Sequence, residues 1–287
     1  MALVNYNKLL AYAKENHITI GAFNSLNMET LQALVSAANK KDAPIIVQTY
    51  HKHVDFAGAD YMRAIAGVAS DHSNVKIALG LDHGRSFEQA KLCVDAGYSG
   101  VMIDLASADY DYNVRETKRV VEIAHQKGVS VEAELGTIVD ADQTPEEIAK
   151  GYTDPVIARK FVADTGIDCL AVSIGTAHGT YAYEPVINFE LLQELLDTAG
   201  CPVVVHGGSG TPDEDVLKMV EMGIAKLNVG TDFFNAYNDA MAAFYREHTT
   251  HCDIADAFAY ARDAVEKTAI QKLDLLTHFR VKTGQRD

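Results

Sequence analysis

Cysteine is scarce in this chain, and basic residues are outnumbered. The four cysteines (Cys93, Cys169, Cys201 and Cys252) are scattered and form no C-x-x-C pair. They read as reduced, mostly buried thiols. Lysine and arginine total 25 against 40 acidic residues, a formal net charge of −15. Nucleic acid is therefore not an expected partner, because phosphate backbones need clustered Lys and Arg. A phosphorylated small molecule remains compatible, since a local anion pocket can sit in an acidic protein. No stretch approaches the ~20 apolar residues of a membrane helix. The opening MALVNYNKLLAYAKENH lacks the continuous apolar region of a signal peptide. The expectation is a cytoplasmic protein with no membrane partner. Linkers, low-complexity segments and sequence repeats are also absent, so residues 1–287 read as one domain.

What is present is regular. Hydrophobic residues make up 48% of the 287 positions, enough for a sizeable core. Short apolar, β-branched runs alternate with stretches of helical periodicity. The runs are Thr19–Asn24, Pro44–Tyr50, Lys76–Gly84, Gly100–Leu105, Ser130–Gly136, Cys169–Gly175, Pro202–Gly208 and Lys226–Thr231. Several intervening helices open on a cap, as at Ser86, or on Pro212 in a first turn. Several close on Gly97, Gly128, Gly166, Gly200 or Gly223 just before the next run. Eight near-continuous apolar strands, each followed by a helix, predict an α/β fold of the (β/α)8 TIM-barrel type. A helix over Tyr6–Glu15 and a helical tail over Ile254–Phe279 fall outside the repeat. Either could cover the barrel bottom or reach a neighbouring subunit.

Nearly every run turns polar or glycine-rich at its carboxyl end, the face where parallel barrels build active sites. His83, His178 and His206 end or follow strands 3, 6 and 7. Imidazoles from separate strands at one rim make a three-ligand zinc site with an open position for substrate. Asp82 precedes His83, and strand alternation should point the two in different directions. A carboxylate there suits a general acid/base, or a partner that orients a histidine. Asp104 and Glu134 end neighbouring strands. They could offer a second metal position, orient the histidines, or pair with Lys and Arg. Two turns suit an anion, His206-Gly207-Gly208-Ser209-Gly210 and Asn228-Val229-Gly230-Thr231, each leading into a helix start.

The strings GAFN, LDHG, AGYSGVMIDLAS, VEAELG, YTDP, LAVSIGTAHGTY, VVVHGGSG and KLNVGT occur in order from about residue 4 to 235. Together they resemble the class II fructose-bisphosphate/tagatose-bisphosphate aldolase family. The resemblance implies a zinc-dependent barrel. Such an enzyme reversibly cleaves a ketose 1-phosphate or 1,6-bisphosphate into dihydroxyacetone phosphate and an aldehyde. It implies zinc on His83, His178 and His206, acid/base work by Asp82, and Asp104 and Glu134 as alternative metal-position carboxylates. Gly179, Gly207, Gly208, Ser209 and Asn228, Val229, Gly230 and Thr231 would contact dihydroxyacetone phosphate, with Asn24 beside them at the rim. A monovalent cation (Na+ or K+) near the phosphate and a homodimer or homotetramer are also implied.

The departures concentrate at the far end of the sugar. Where relatives carry a small residue after strand 2, this chain has Tyr50, His51, Lys52 and His53. Where their tails carry an Arg that serves the distal phosphate, it has Ile270. Ile138 through Asp142 replace a Gly-Gly-x-Glu-Asp loop, Ala182 stands where Lys is common, and Gly230 where some members have Asp. Tyr50, His51, Lys52 and His53 are accordingly candidates to bind a distal group, the alternative being a solvated loop. The alternative substrate is a ketose 1-phosphate with a changed C6 group, such as sulfofructose 1-phosphate, giving sulfolactaldehyde. The alternative of another class is an inactive metal-binding scaffold. A metal-dependent barrel hydrolase is disfavoured, because strand 1 ends without a His-x-His pair.

Overall fold

The computed structural model describes residues 3–250 and 252–280. Its centre is a closed barrel of eight parallel strands in sequence order. They are β1 (Ile20–Asn24), β2 (Ile45–Tyr50), β3 (Ile77–Gly84), β4 (Gly100–Ile103), β5 (Ser130–Leu135), β6 (Cys169–Val172), β7 (Val203–Val205) and β8 (Lys226–Val229). All eight predicted runs are strands. Several stop earlier than predicted, because their glycine-rich ends leave the sheet as loops.

The helices are α1 (Tyr6–Asn16), α2 (Met28–Lys41), α3 (His51–Ala57), α4 (Ala59–Asp71), α5 (Phe87–Ala96), α6 (Tyr110–Gln126), α7 (Pro145–Ala149), α8 (Pro155–Thr165), α9 (Phe189–Thr198), α10 (Asp213–Met222), α11 (Thr231–Glu247) and α12 (Ile254–Leu276). Ser86 caps α5 by accepting from the Gln89 N–H. Gly97, Gly166 and Gly223 end α5, α8 and α10 in the left-handed conformation that glycine adopts most readily. Pro212 lies at the N-cap of α10, one position before the expected first turn. No helix among the described residues is long and apolar enough to cross a membrane.

The two-residue period of each strand divides the core. One set of side chains (Phe23, Val47, Leu79, Val101, Val131, Leu170, Val205 and Leu227 among them) packs outward against the helices. The alternate set (Ile20, Ala22, Ile46, Ala78, Met102, Cys169, Ala171 and Val204) fills the barrel, together with Tyr6, Leu9, Leu10 and Ala13 of α1. Helix α1 therefore plugs the barrel bottom, one of the two roles expected of it. Gly80 and Gly100 make room for the plug. A Cβ on Gly80 would lie 1.7 Å from Tyr6 Oη, and one on Gly100 would lie 2.3 Å from two Tyr6 ring atoms. The tail does not plug the barrel as α1 does. Helix α12 packs along the barrel side between α2 and α11, buries Val265, Ala269, Leu273 and Leu276, and receives the Thr19 N–H on the Leu276 carbonyl.

Candidate active site

Inward-facing positions continue to the carboxyl ends of the strands, and there they turn polar. A cleft of about 600 Å³ opens at that face, lined by Asn24, Tyr50, Asp82, Asp104, Glu134, His206 and Asn228 from seven different strands or their ends. Loops after β6, β7 and β8 add His178, Gly179, Gly207, Ser209, Gly230 and Thr231. Barrel closure is what makes neighbours of residues spread over two hundred positions of sequence.

His83 reaches this cleft by breaking the alternation. The β3–β4 register shifts between Leu81 and Gly84, and His83 takes a left-handed φ of 50°. An L-residue rarely adopts that conformation, and bulges of this kind re-aim side chains beside active sites. As a result Asp82 and His83 both face the cleft, with His83 Nε2 3.9 Å from Asp82 Oδ1. The opposite directions expected from strict alternation do not hold here.

His83, His178 and His206 come together, each offering a ring nitrogen within 4.8 Å of the others. His83 Nδ1 lies 2.8 Å from Asp104 Oδ2, and His206 Nε2 lies 2.8 Å from Glu132 Oε1. His83 Nε2 and His206 Nδ1 face each other at 2.9 Å; with a cation in place of any proton between them, a proton on each outer nitrogen leaves both lone pairs free to bind it. His178 Nε2 is buried with no hydrogen-bond partner. Three imidazoles, two held by carboxylates and one orphaned, suit a borderline-soft divalent cation such as zinc. Asp104 and Glu134 make a second potential ligand group with His83.

Charges sort the site. Burial, then the proximity of His83, lowers the His178 pKa to about 4, and burial holds His206 well below its usual value. Burial opposes protonation of His83 too, but Asp82, Asp104 and Glu134 outweigh it and raise that pKa to about 9. Burial and the Asp104 charge raise Glu134 to about 8. For Asp82 burial pushes upward, yet His83, His206, the Asn24 hydrogen bond and Lys226 together hold its pKa below the usual carboxylate value. Both Asp82 oxygens are clamped, Oδ2 by Asn24 Nδ2 at 2.7 Å and Oδ1 by Asn228 Nδ2 at 3.0 Å.

The glycine-rich turns pack against one another. Gly207 has a φ of 73°, and a Cβ there would sit 2.5 Å from the Ala177 carbonyl oxygen, so only glycine lets the β7 turn approach the His178 loop. Ser209 Oγ accepts from the N–H groups of Gly230 and Asp232 at 3.2 Å, tying the β7 turn to the start of α11. Gly208 and Val229 do not line the cleft. The Gly208 N–H is spent on the Asn228 carbonyl, and the Val229 side chain is buried in the outer core.

The strand-2 group divides in two. Tyr50 and His53 line the cleft, whereas His51 and Lys52 do not, and Lys52 is exposed. Helix α3 begins at His51, so 50 and 53 share a face while 51 and 52 rotate away. Ile270 packs partly buried against the outer core. The segment replacing the Gly-Gly-x-Glu-Asp loop forms one wall. Its backbone pairs with the His178 loop through Ala141 N–H to His178 O, His178 N–H to Val139 O and Ala182 N–H to Ala141 O.

Four contributors were missed from sequence. Arg85 lines the cleft and reaches Asp104 Oδ2 at 3.1 Å. Tyr181 Oη receives the Ala177 N–H at 2.8 Å beside the Gly207 carbonyl. Phe234 of α11 closes one side and meets His53 edge-on at 5.1 Å. Lys226 lies beneath the site, fully buried. A lysine two residues before Asn228 on an apolar strand was the available signal, since period two sends both side chains inward.

Comparisons with known proteins place the chain in a family and match its fold. The family described as "Fructose-bisphosphate aldolase class-II" matches residues 4–279. A fructose-bisphosphate aldolase of Staphylococcus aureus (strain Mu50 / ATCC 700699) is 37% identical over 278 residues, covering 95% of this chain and 96% of that protein. One from Geobacillus stearothermophilus is 35% identical over 278 residues, covering 95% and 96%. Among solved structures, the YdjI aldolase from Escherichia coli K12 superposes with a TM-score of 0.84 at 31% identity, covering 96% of this chain and 97% of that one. The chain therefore belongs to the class II fructose-bisphosphate aldolase family, a family of lyases.

Proposed function

We propose that the protein catalyses reversible aldol cleavage of a ketose 1-phosphate or 1,6-bisphosphate of the fructose or tagatose type, releasing dihydroxyacetone phosphate and an aldehyde. The observation that carries this reading is the doubly clamped Asp82 beside three converging imidazoles in one cleft. His83, His178 and His206 would hold zinc, with Asp104 and Glu134 as an alternative position. Zinc there would supply Lewis-acid stabilisation of the negative charge that develops on the ketose C2 oxygen. Asp82 takes the C4 hydroxyl proton in cleavage and returns it in condensation. Asn24 and Asn228 fix the carboxylate by occupying both oxygens. The turns at Gly207, Ser209, Gly230 and Thr231, with the α11 N-terminus behind them, hold the phosphate of the three-carbon half. A monovalent cation (Na+ or K+) near that phosphate, a homodimer or homotetramer, and a cytoplasmic location complete the proposal. The test is dihydroxyacetone-phosphate release by the zinc-loaded protein across ketose 1-phosphates that differ at C4 and C6. Schiff-base trapping by borohydride would refute it.

A second reading concerns the far end of the substrate. Among the described residues Arg85 is the one Lys or Arg that lines the cleft, while Ile270 and Lys52 lie away from it. A substrate with a C6 anion other than the usual phosphate, such as the sulfonate of sulfofructose 1-phosphate, would meet Arg85, with Tyr50 and His53 shaping the pocket. Efficient cleavage of fructose or tagatose 1,6-bisphosphate, above every C6-modified analogue, returns the chain to the usual substrates.

A further inference from the structure

Beneath the cleft, inside the barrel, lies a polar group that acid/base chemistry does not use directly. Lys226 is fully buried and, among the described residues, is the only buried Lys or Arg. Its Nζ lies 2.8 Å from Glu132 Oε2 and 3.0 Å from Oε1, and 2.6 Å from Asn228 Oδ1. Glu132 is equally buried. Taking such a pair out of water is expensive, and well-packed apolar residues of similar volume commonly serve stability as well or better. The pair therefore calls for a reason beyond stability.

The geometry points to Lys226 as a positioning residue that orients two groups of the site through one buried cation. A lysine ammonium has donors and no acceptor. The Asn228 atom facing it must be the amide oxygen, so the NH2 points the other way, onto Asp82 Oδ1 at 3.0 Å. The two ends of an amide have nearly the same shape, so packing alone would not fix this choice. With the amide reversed, an oxygen would face Asp82 and the carboxylate would lose one of its two donors. The second arm runs through Glu132. Held by Lys226, it receives His206 Nε2 at 2.8 Å, which puts the proton on Nε2 and aims the bare Nδ1 at the cleft. Lys226 thus sets both the amide that steadies the acid/base and the tautomer of an expected metal ligand.

This inference rests on the proposed roles of Asp82 and His206, and its test separates the two. The variants are Lys226→Met and the paired Lys226→Met/Glu132→Gln. The pair removes both charges at nearly constant volume, so a buried Glu132 is not left alone. In the pair, kcat for dihydroxyacetone-phosphate release should fall ~100-fold, the scale of misplaced catalytic groups, with KM little changed because the phosphate turns are untouched. Zinc affinity, read by competition with a chelator and independent of any substrate, should fall ~10–100-fold. A folded pair with the kcat and zinc affinity of the parent overturns the proposal. In the unaltered zinc protein, nitrogen-15 NMR of the histidine rings should place the His206 proton on Nε2. A proton on Nδ1 overturns the proposal even if neither variant folds. If no ketose phosphate is cleaved while zinc affinity falls as stated, the aldolase reading fails and the positioning role stands.

Discussion

Asp82 is a carboxylate with both oxygens already occupied by amide donors, in a site where histidine charges favour its ionised form. A side chain so placed should matter to turnover more than to metal. Asp82→Ala should retain zinc by elemental analysis while kcat falls by ~10²–10⁴, the range for loss of a general acid/base. Near-normal turnover would assign Asp82 to orienting His83 instead. Arg85 and Lys52 give a second comparison at this scale. Arg85→Ala should raise KM for a substrate with a C6 anion well beyond the effect on its C6-hydroxyl analogue, and Lys52→Ala should leave both within ~2-fold, as expected of an exposed side chain away from such features. Equal effects of the two substitutions would remove Arg85 from the far-end subsite.

Among the elements, α1 packs closely against β3 and β4. Tyr6 occupies space that exists only because residues 80 and 100 lack a Cβ. Gly100→Ala should destabilise by ~1–3 kcal/mol, the cost of forcing atoms into a packed core. Adding Tyr6→Leu should recover part of that loss, because residues in contact do not contribute additively. Strictly additive melting shifts would show that α1 does not plug the barrel in solution. Strand β3 shows the limit of reading elements from periodicity. Its LDHG string was legible and put His83 at the rim, but alternation wrongly set Asp82 and His83 in different directions. The bulge and the left-handed φ that turn the imidazole inward depend on the register with β4.

For the molecule as a whole, the proposed cation would join strand β3, the turn after β7 and the loop after β6 across the barrel mouth. Chelation with EDTA should abolish cleavage, and zinc should restore it. Chelation should also lower the melting temperature, since a ligand at a hundredfold excess over its Kd stabilises the native state by about 2.7 kcal/mol. Full activity in the metal-free protein would refute the zinc proposal. The charge of −15 sets no obstacle to a phosphorylated substrate, because the anion-binding groups proposed here are backbone N–H groups and a helix start.

The amino-acid sequence by itself determined the eight strands, the two extra helices and the face that carries the chemistry. Alternation of apolar strands with capped helices is local information, and polar residues at strand ends announce the rim. His83, His178, His206, Asp82, Asn24 and Asn228 were legible for that reason. Tertiary structure alone decided which of the strand-2 residues face the cleft, because that depends on where α3 begins relative to β2. It decided that α12 lies along the barrel side, because the groove between α2 and α11 exists only after closure. It also placed Arg85, Tyr181 and Phe234 around the cleft and Lys226 with Glu132 beneath it. Lys226 and Glu132 are 94 positions apart, on strands that share no edge, and only the closed barrel brings their inward-facing side chains into contact.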